Sequence, residues 1–144
     1  MLARSILAAL TLTLLAPLPA AADPAVPVRV RIIQGSRQGP AQMDPKLQDL
    51  AGQLGRLAYQ RCTEVGEHRR EMTFKKAEQF PLPDGSVLTL TLEESRKDTV
   101  TFQVGVPARK TSSKLTISKD QRIVHQVTDE KNGEAIFASI RPWP

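Results

Sequence analysis

The chain has 144 residues, 40% of them hydrophobic but only 4% aromatic, and its 20 basic against 15 acidic side chains give a formal net charge of +5. A surplus that small, with few rings on which bases could stack, argues against nucleic acid as a partner. The single cysteine, Cys62, excludes an internal disulfide, so a packed core must hold the fold; a lone thiol reads as a small buried hydrophobe.

Residues 1–22 carry Arg4, then an apolar run over residues 6–15, then Pro17, Pro19 and the small residues Ala20, Ala21 and Ala22. This is the layout of a secretory signal cut before Asp23. The run falls short of the ~20 apolar residues that a membrane-spanning helix needs. No cysteine follows it to take a lipid. The sequence therefore predicts export to the periplasm, with release outside the cell as the other destination, and no integral membrane segment after cleavage. Residues 23–144 form one mature domain of net charge +4 once Arg4 is removed, long enough to bury about two thirds of its unfolded surface.

Residues 26–34 alternate Val28, Val30 and Ile32 against Arg29 and Arg31, a first strand with one basic face. Residues 35–43 read as a loop from their Gly, Ser and Pro content. Asp44 and Pro45 then offer an N-cap and a proline at the first helical position, and Leu47, Leu50, Ala51, Leu54, Leu57 and Ala58 follow at spacings of three and four. An amphipathic helix ending near Tyr59 is expected, with Gly52 and Gly55 letting it lie close against a sheet and Gln53 facing solvent.

Strands are expected at residues 59–65 and 70–78, joined by a turn near Gly66. Pro81, Pro83, Asp84 and Gly85 make the next turn. Leu88, Leu90 and Leu92, and then Val100, Phe102, Val104 and Val106, alternate with polar residues on either side of a charged connector at residues 93–98. Leu115 and Ile117 alternate in the densest basic segment of the chain, which holds Arg109, Lys110, Lys114, Lys119 and Arg122 against Asp120 alone. A closing hairpin turns at Asn132-Gly133. The fold class is α+β, mainly β: an antiparallel sheet or sandwich of about seven or eight short strands with one amphipathic helix packed on it.

Reactive constellations are sparse. No G-x-S-x-G is present, and Ser112 or Ser113 with His125 is a combination that almost any chain of this length allows. Two arginines follow His68, and they would repel a metal ion. Lys131 stands where a calcium loop over residues 129–134 would place an oxygen ligand. The G-x-x-G at Gly52 and Gly55 matches a nucleic-acid-binding loop only in two residues and lies within the helical stripe. Glu93 and Glu94, adjacent on an extended chain, point to opposite sides. The sequence predicts no catalytic residue, no metal and no cofactor.

The spacing D-P-x-L-x-x-L (Asp44, Pro45, Leu47, Leu50), the spacing L-P-D-G-x-x-L-x-L (Leu82, Pro83, Asp84, Gly85, Leu88, Leu90), the leader and the final hairpin together span most of the mature chain. In these the chain resembles a group of small exported β-rich envelope proteins of unknown activity from bacteria with an outer membrane. The resemblance implies an envelope accessory protein, and more narrowly a periplasmic part of a trans-envelope machine for motility or secretion; it carries over no catalytic residue.

Two functions are therefore expected in competition. One is a non-enzymatic module that binds a protein partner in the envelope. The other binds anionic envelope polymers or lipid head groups. In either, contact is expected at Arg109, Lys110, Lys114, Lys119 and Arg122 or at an adjoining strand edge.

Overall fold

The computed structural model describes residues 25–142, so the predicted signal and its cleavage site lie outside the described residues. Among them, nine strands form two sheets. The first joins β1 (Val26–Ser36), β2 (Gln42–Met43), β3 (Arg61–Met72), β8 (Ile123–Gln126) and β9 (Glu134–Pro142) in the order β2-β3-β1-β9-β8. The second joins β4 (Ala77–Pro81), β5 (Val87–Ser95), β6 (Thr99–Val106) and β7 (Thr111–Ser118) in the order β4-β5-β6-β7.

Alternation determines which side chains meet between the sheets. Val28, Val30 and Ile32 of β1 pack with Ala138 and Ile140 of β9 against Leu88, Leu90, Leu92, Val100, Phe102, Val104 and Ile117, all of them buried. The intervening β1 residues Arg29, Arg31 and Ile33 face outward. That outer face carries a second core, in which Leu47, Leu50, Leu54, Tyr59 and Cys62 pack on Ile33, Ala135 and Phe137. The molecule therefore has three layers.

The expected helix is replaced by a 3₁₀ segment, Pro45–Leu50, followed by a single α-turn, α1 (Ala51–Leu54). The capping forecast holds: Asp44 Oδ1 accepts a hydrogen bond from the Lys46 N–H at 3.0 Å. So does the leucine stripe at Leu47, Leu50 and Leu54. The helix fails to propagate because the few backbone hydrogen bonds of one turn, weakened by Gly52 and Gly55, do not offset nucleation. Leu57 is half-buried and Ala58 exposed. Neither glycine packs against the sheet: a Cβ added at Gly52 meets nothing within 4 Å, and one at Gly55 meets only the Ala51 carbonyl of its own turn, at 3.1 Å. Close approach occurs instead at Gly35, expected in a loop but found inside β1, where an added Cβ would lie 2.9 Å from Phe137.

The two strands expected on either side of Gly66 are one strand, β3. Its register against β1 slips between Ile32, opposite Gly66, and Ile33, opposite Glu64, which leaves Val65 as the extra residue of a β-bulge and 43% exposed. The free Glu64 N–H at the bulge is bound by Asp44 Oδ2 at 3.0 Å, so one carboxylate caps the helical segment and closes the bulge.

Gln53 faces outward but is not idle. Its Oε1 accepts from the Val124 N–H at 3.1 Å and its amide donates to the Arg122 carbonyl. Leu54→Ala should therefore lose about 2–5 kcal/mol of stability. Gln53→Ala should lose about 1 kcal/mol for each hydrogen bond, and Gln48→Ala, exposed and without a side-chain hydrogen bond among the described residues, should stay within about 0.5 kcal/mol of the parent. Urea melts of the three variants check this order; equal effects would contradict it.

Candidate functional site

The five basic residues singled out in the sequence are not brought together. Arg109, in a single 3₁₀ turn (Pro107–Arg109), donates to Asp84 Oδ2 through Nη2 at 2.5 Å and Nε at 3.1 Å, tying that turn to the Pro-Asp-Gly turn before β5. Arg122 reaches the other layer and meets Asp49 Oδ2 at 3.2 Å. Lys110, Lys114 and Lys119 are exposed, with no side-chain ion pair among the described residues. Lys110 and Lys119 flank β7, and nine residues of extended chain hold them about 30 Å apart. That exceeds the screening length of about 8–10 Å. The lysines act as separate charges rather than as one field.

What they flank is a sheet edge. β7 pairs with β6 along its whole length, from Thr99 opposite Ser118 to Val106 opposite Thr111, and no other strand among the described residues pairs its other side; that side is engaged only at its ends, where the Thr111 hydroxyl donates to the Val127 carbonyl at 3.4 Å and Gln121 Oε1 accepts from the Ser118 N–H at 3.4 Å. The remaining edges are each blunted. β3 carries the bulge and a run of charges, and β2 covers its start. β8 has only four residues, and Gln53 takes its Val124 N–H. β4 has five residues and ends in Pro81. By contrast β7 has eight residues, neither bulge nor proline, and Lys114 as its single charge. Protection of this kind is what keeps edges from pairing with other chains.

Beside the first half of β7 lies a cleft of about 560 Å³, lined by Thr111, Ser112, Ser113, His125, Val127 and Asp129 among others. It separates the edge of one sheet from that of the other. Ser112, Ser113 and His125 thus share a cleft, yet no hydrogen bond links His125 to either hydroxyl among the described residues. Ser112 Oγ instead accepts from the Gln103 amide. Burial lowers the His125 pKa, which keeps the ring neutral near pH 7. The groups for a nucleophile and its base are neighbours without the contact that would activate one by the other. No cluster of metal-ligating side chains occurs among the described residues, and none of their helices is long and apolar enough to cross a membrane.

The outer face of the four-stranded sheet is polar and nearly uncharged. Thr91, Gln103 and Lys114 lie in one cross-strand row, and Glu94, Thr101 and Thr116 in the next, where the two threonine hydroxyls are 3.0 Å apart. Among the described residues, only Val65 and Val87 are large hydrophobic side chains with substantial exposure. Neither makes an apolar patch of the size that marks a hydrophobic interface. Alternation in the sequence marked β7 as a strand; its place at an edge depends on pairings between distant segments.

The chain matches no protein-family model, no curated protein and no solved structure.

Several carboxylates hold protons less tightly than in an unfolded chain. For Asp44 the cause is its two backbone N–H donors; for Asp49 and Asp84, burial acts upward but is outweighed by hydrogen bonds and the charges of Arg31 and Arg109; for Glu67 the leading cause is Arg29. Between the depressed values and the ordinary carboxylate range near 4, the unfolded chain binds more protons than the folded one, so stability must rise with pH there. The urea midpoint should hold from neutral pH down to about 5 and fall steadily below about 4. Asp49→Asn should flatten the fall, and an unchanged slope would remove Asp49 from the account.

Proposed function

We propose that the chain is a non-enzymatic accessory module, exported to the periplasm, that binds an envelope protein by taking one of its extended segments as a strand beside β7. The observation that carries this reading is the contrast among the edges: three are blunted, whereas the outward backbone groups of β7 are free from Ser112 to Thr116 and are taken only at Ser118, by Gln121. Strand addition draws its affinity from backbone hydrogen bonds and its specificity from alternate side chains. The added strand would extend the threonine-rich face on one side, and on the other it would border the cleft near His125. A component of a trans-envelope machine for motility or secretion is the narrower form of this proposal, resting on the resemblance alone.

Polyanion binding by the basic segment is the weaker alternative. Two of its arginines are already paired and its lysines are too far apart to add their fields. Salt distinguishes the two, since strand pairing should survive an ionic strength that disperses a polyanion complex.

A photo-crosslinking residue at Lys114 should capture a partner from envelopes at low and high salt alike, whereas one at Gln79 in β4, on the opposite edge, should not. Equal capture from both edges would reject β7 as the docking strand. Reversing Lys110, Lys114 and Lys119 together to Glu should leave the fold intact and reduce capture; unchanged capture by the folded variant would remove the lysines from the interface. N-terminal sequencing of the exported protein should begin at Asp23, and recovery with Met1 retained would contradict the export reading.

A further inference from the structure

The backbone of β7 limits where an added strand can bond. In an antiparallel sheet, alternate residues aim both backbone groups at the same neighbour. Ser118 aims its pair away from β6, since its N–H meets Gln121 Oε1 at 3.4 Å and its carbonyl accepts from the Gln121 N–H at 2.9 Å. Thr116, Lys114 and Ser112 therefore aim theirs the same way, and nothing meets them among the described residues. A newcomer finds three residues with which to exchange hydrogen bonds.

The two faces of that window determine which side chains it fits. Residues directly opposite one another in an antiparallel pair share a face. On the outer face Ser112, Lys114 and Thr116 are exposed, and Lys114 has only Gln103 of β6 across from it, with no ion pair among the described residues. On the inner face Leu115 is half-buried at the rim of the inter-sheet core, as is Ile123 at the start of β8, so apolar surface remains open there. Ser113 instead lines the cleft of about 560 Å³, together with Thr111, His125 and Asp129. An apolar side chain pressed into that cleft would take water from these polar groups without replacing it.

We infer that the segment received beside β7 runs antiparallel to it and carries, in N-to-C order, an apolar side chain opposite Leu115, an acidic one opposite Lys114 and a polar, uncharged one opposite Ser113. The inference rests on β7 as the docking strand and adds the chemistry of what docks. Antiparallel pairing is the more stable kind, and it lets each of Ser112, Lys114 and Thr116 exchange both its bonds with one partner residue. Proline is excluded opposite those three, because it has no N–H to give. A second copy of this chain is the poorer occupant: β7 has no acidic residue to set against Lys114, and a two-fold pairing centred there would oppose lysine to lysine.

The test titrates the mature protein with peptides whose central residues are Leu-Glu-Gln, Leu-Lys-Gln or Gln-Glu-Leu between identical Ser and Thr flanks, following backbone amides by NMR. The Leu-Glu-Gln peptide should protect the Ser112, Lys114 and Thr116 amides from solvent exchange saturably. Replacing its Glu by Lys should weaken binding at least about threefold, since a cross-strand ion pair is lost and a like-charge pair gained. The reversed order, Gln-Glu-Leu, should weaken it by a similar factor. In Lys114→Glu, which alters one exposed side chain, the ranking of the Glu and Lys peptides should invert. Equal affinities for the three peptides, or a ranking indifferent to Lys114→Glu, would overturn the pattern while leaving β7 as the docking strand. Protection by none of them would reject β7 itself, and the pattern with it. Concentration-dependent protection of the same amides without peptide would make the occupant a second copy and overturn the inference.

Discussion

The guanidinium of Arg31 joins three parts of the chain that the backbone alone does not connect. It projects from β1 on the outward face of the five-stranded sheet, its side chain only 5% exposed, and donates to Glu64 on β3 at 2.6 Å, to Asp49 at 2.7 Å and to the Lys46 carbonyl at 2.6 Å. A lysine could not do this, because the geometry calls for donors fanned out in a plane. Removing one partner from such a set leaves a buried charge and costs about 3–5 kcal/mol, whereas an all-apolar replacement of the whole set can be as stable as the original. What the set contributes is position. The 3₁₀ segment and α1 are too short to hold themselves in place, and Arg31 fixes where Leu47, Leu50 and Leu54 come down on Ile33 and Phe137.

That placement has consequences at the sheet margins. Asp44, at the start of the segment, closes the bulge in β3 through the Glu64 N–H, and Gln53, near its end, occupies the Val124 N–H on β8. The helical layer thus blunts both margins of the sheet it covers. The second sheet has no such cover. Its outer face is solvated, and its two margins are protected by local sequence: a proline and brevity at β4, a single lysine and the Gln121 contact at Ser118 on β7. The uneven protection of the edges follows from having one helical layer for two sheets.

The strands that were legible in the sequence are those whose faces differ sharply in polarity. β1, β5, β6 and β7 each alternate an apolar row against Arg, Thr or Lys, and one shift of register would turn the apolar row into water. β3 reads as two strands in the sequence because the bulge resets its alternation at Val65, so that Gly66 resembles a turn between strands rather than a kink within one. The segment after Asp44 reads as a longer helix than it is for a related reason: leucines at spacings of three and four describe a buried stripe equally well on a 3₁₀ segment followed by one α-turn, and the stripe does not specify how many backbone hydrogen bonds continue it. β2, two residues paired in parallel with Arg61 and Cys62, carries no pattern of its own.

The charged residues divide by the same logic. Local density drew attention to residues 109–122, yet density along an extended chain is not density in space, since each residue adds about 3.3 Å. The arginines that do converge are separated by tens of residues and lie on different strands, each unremarkable in its own segment. Their convergence depends on the pairing of β1 with both β3 and β9, a non-local property set by the apolar face on the other side of the same strands. Val28 and Val30 determine the register by packing inward; Arg29, one residue away, is carried by that register into alignment with Arg69 and Arg141. The inward face dictates the alignment, and the outward face must accommodate the electrostatic cost. It does so with Glu67, Asp49 and Glu64 at the sides and with none of these carboxylates at Arg141.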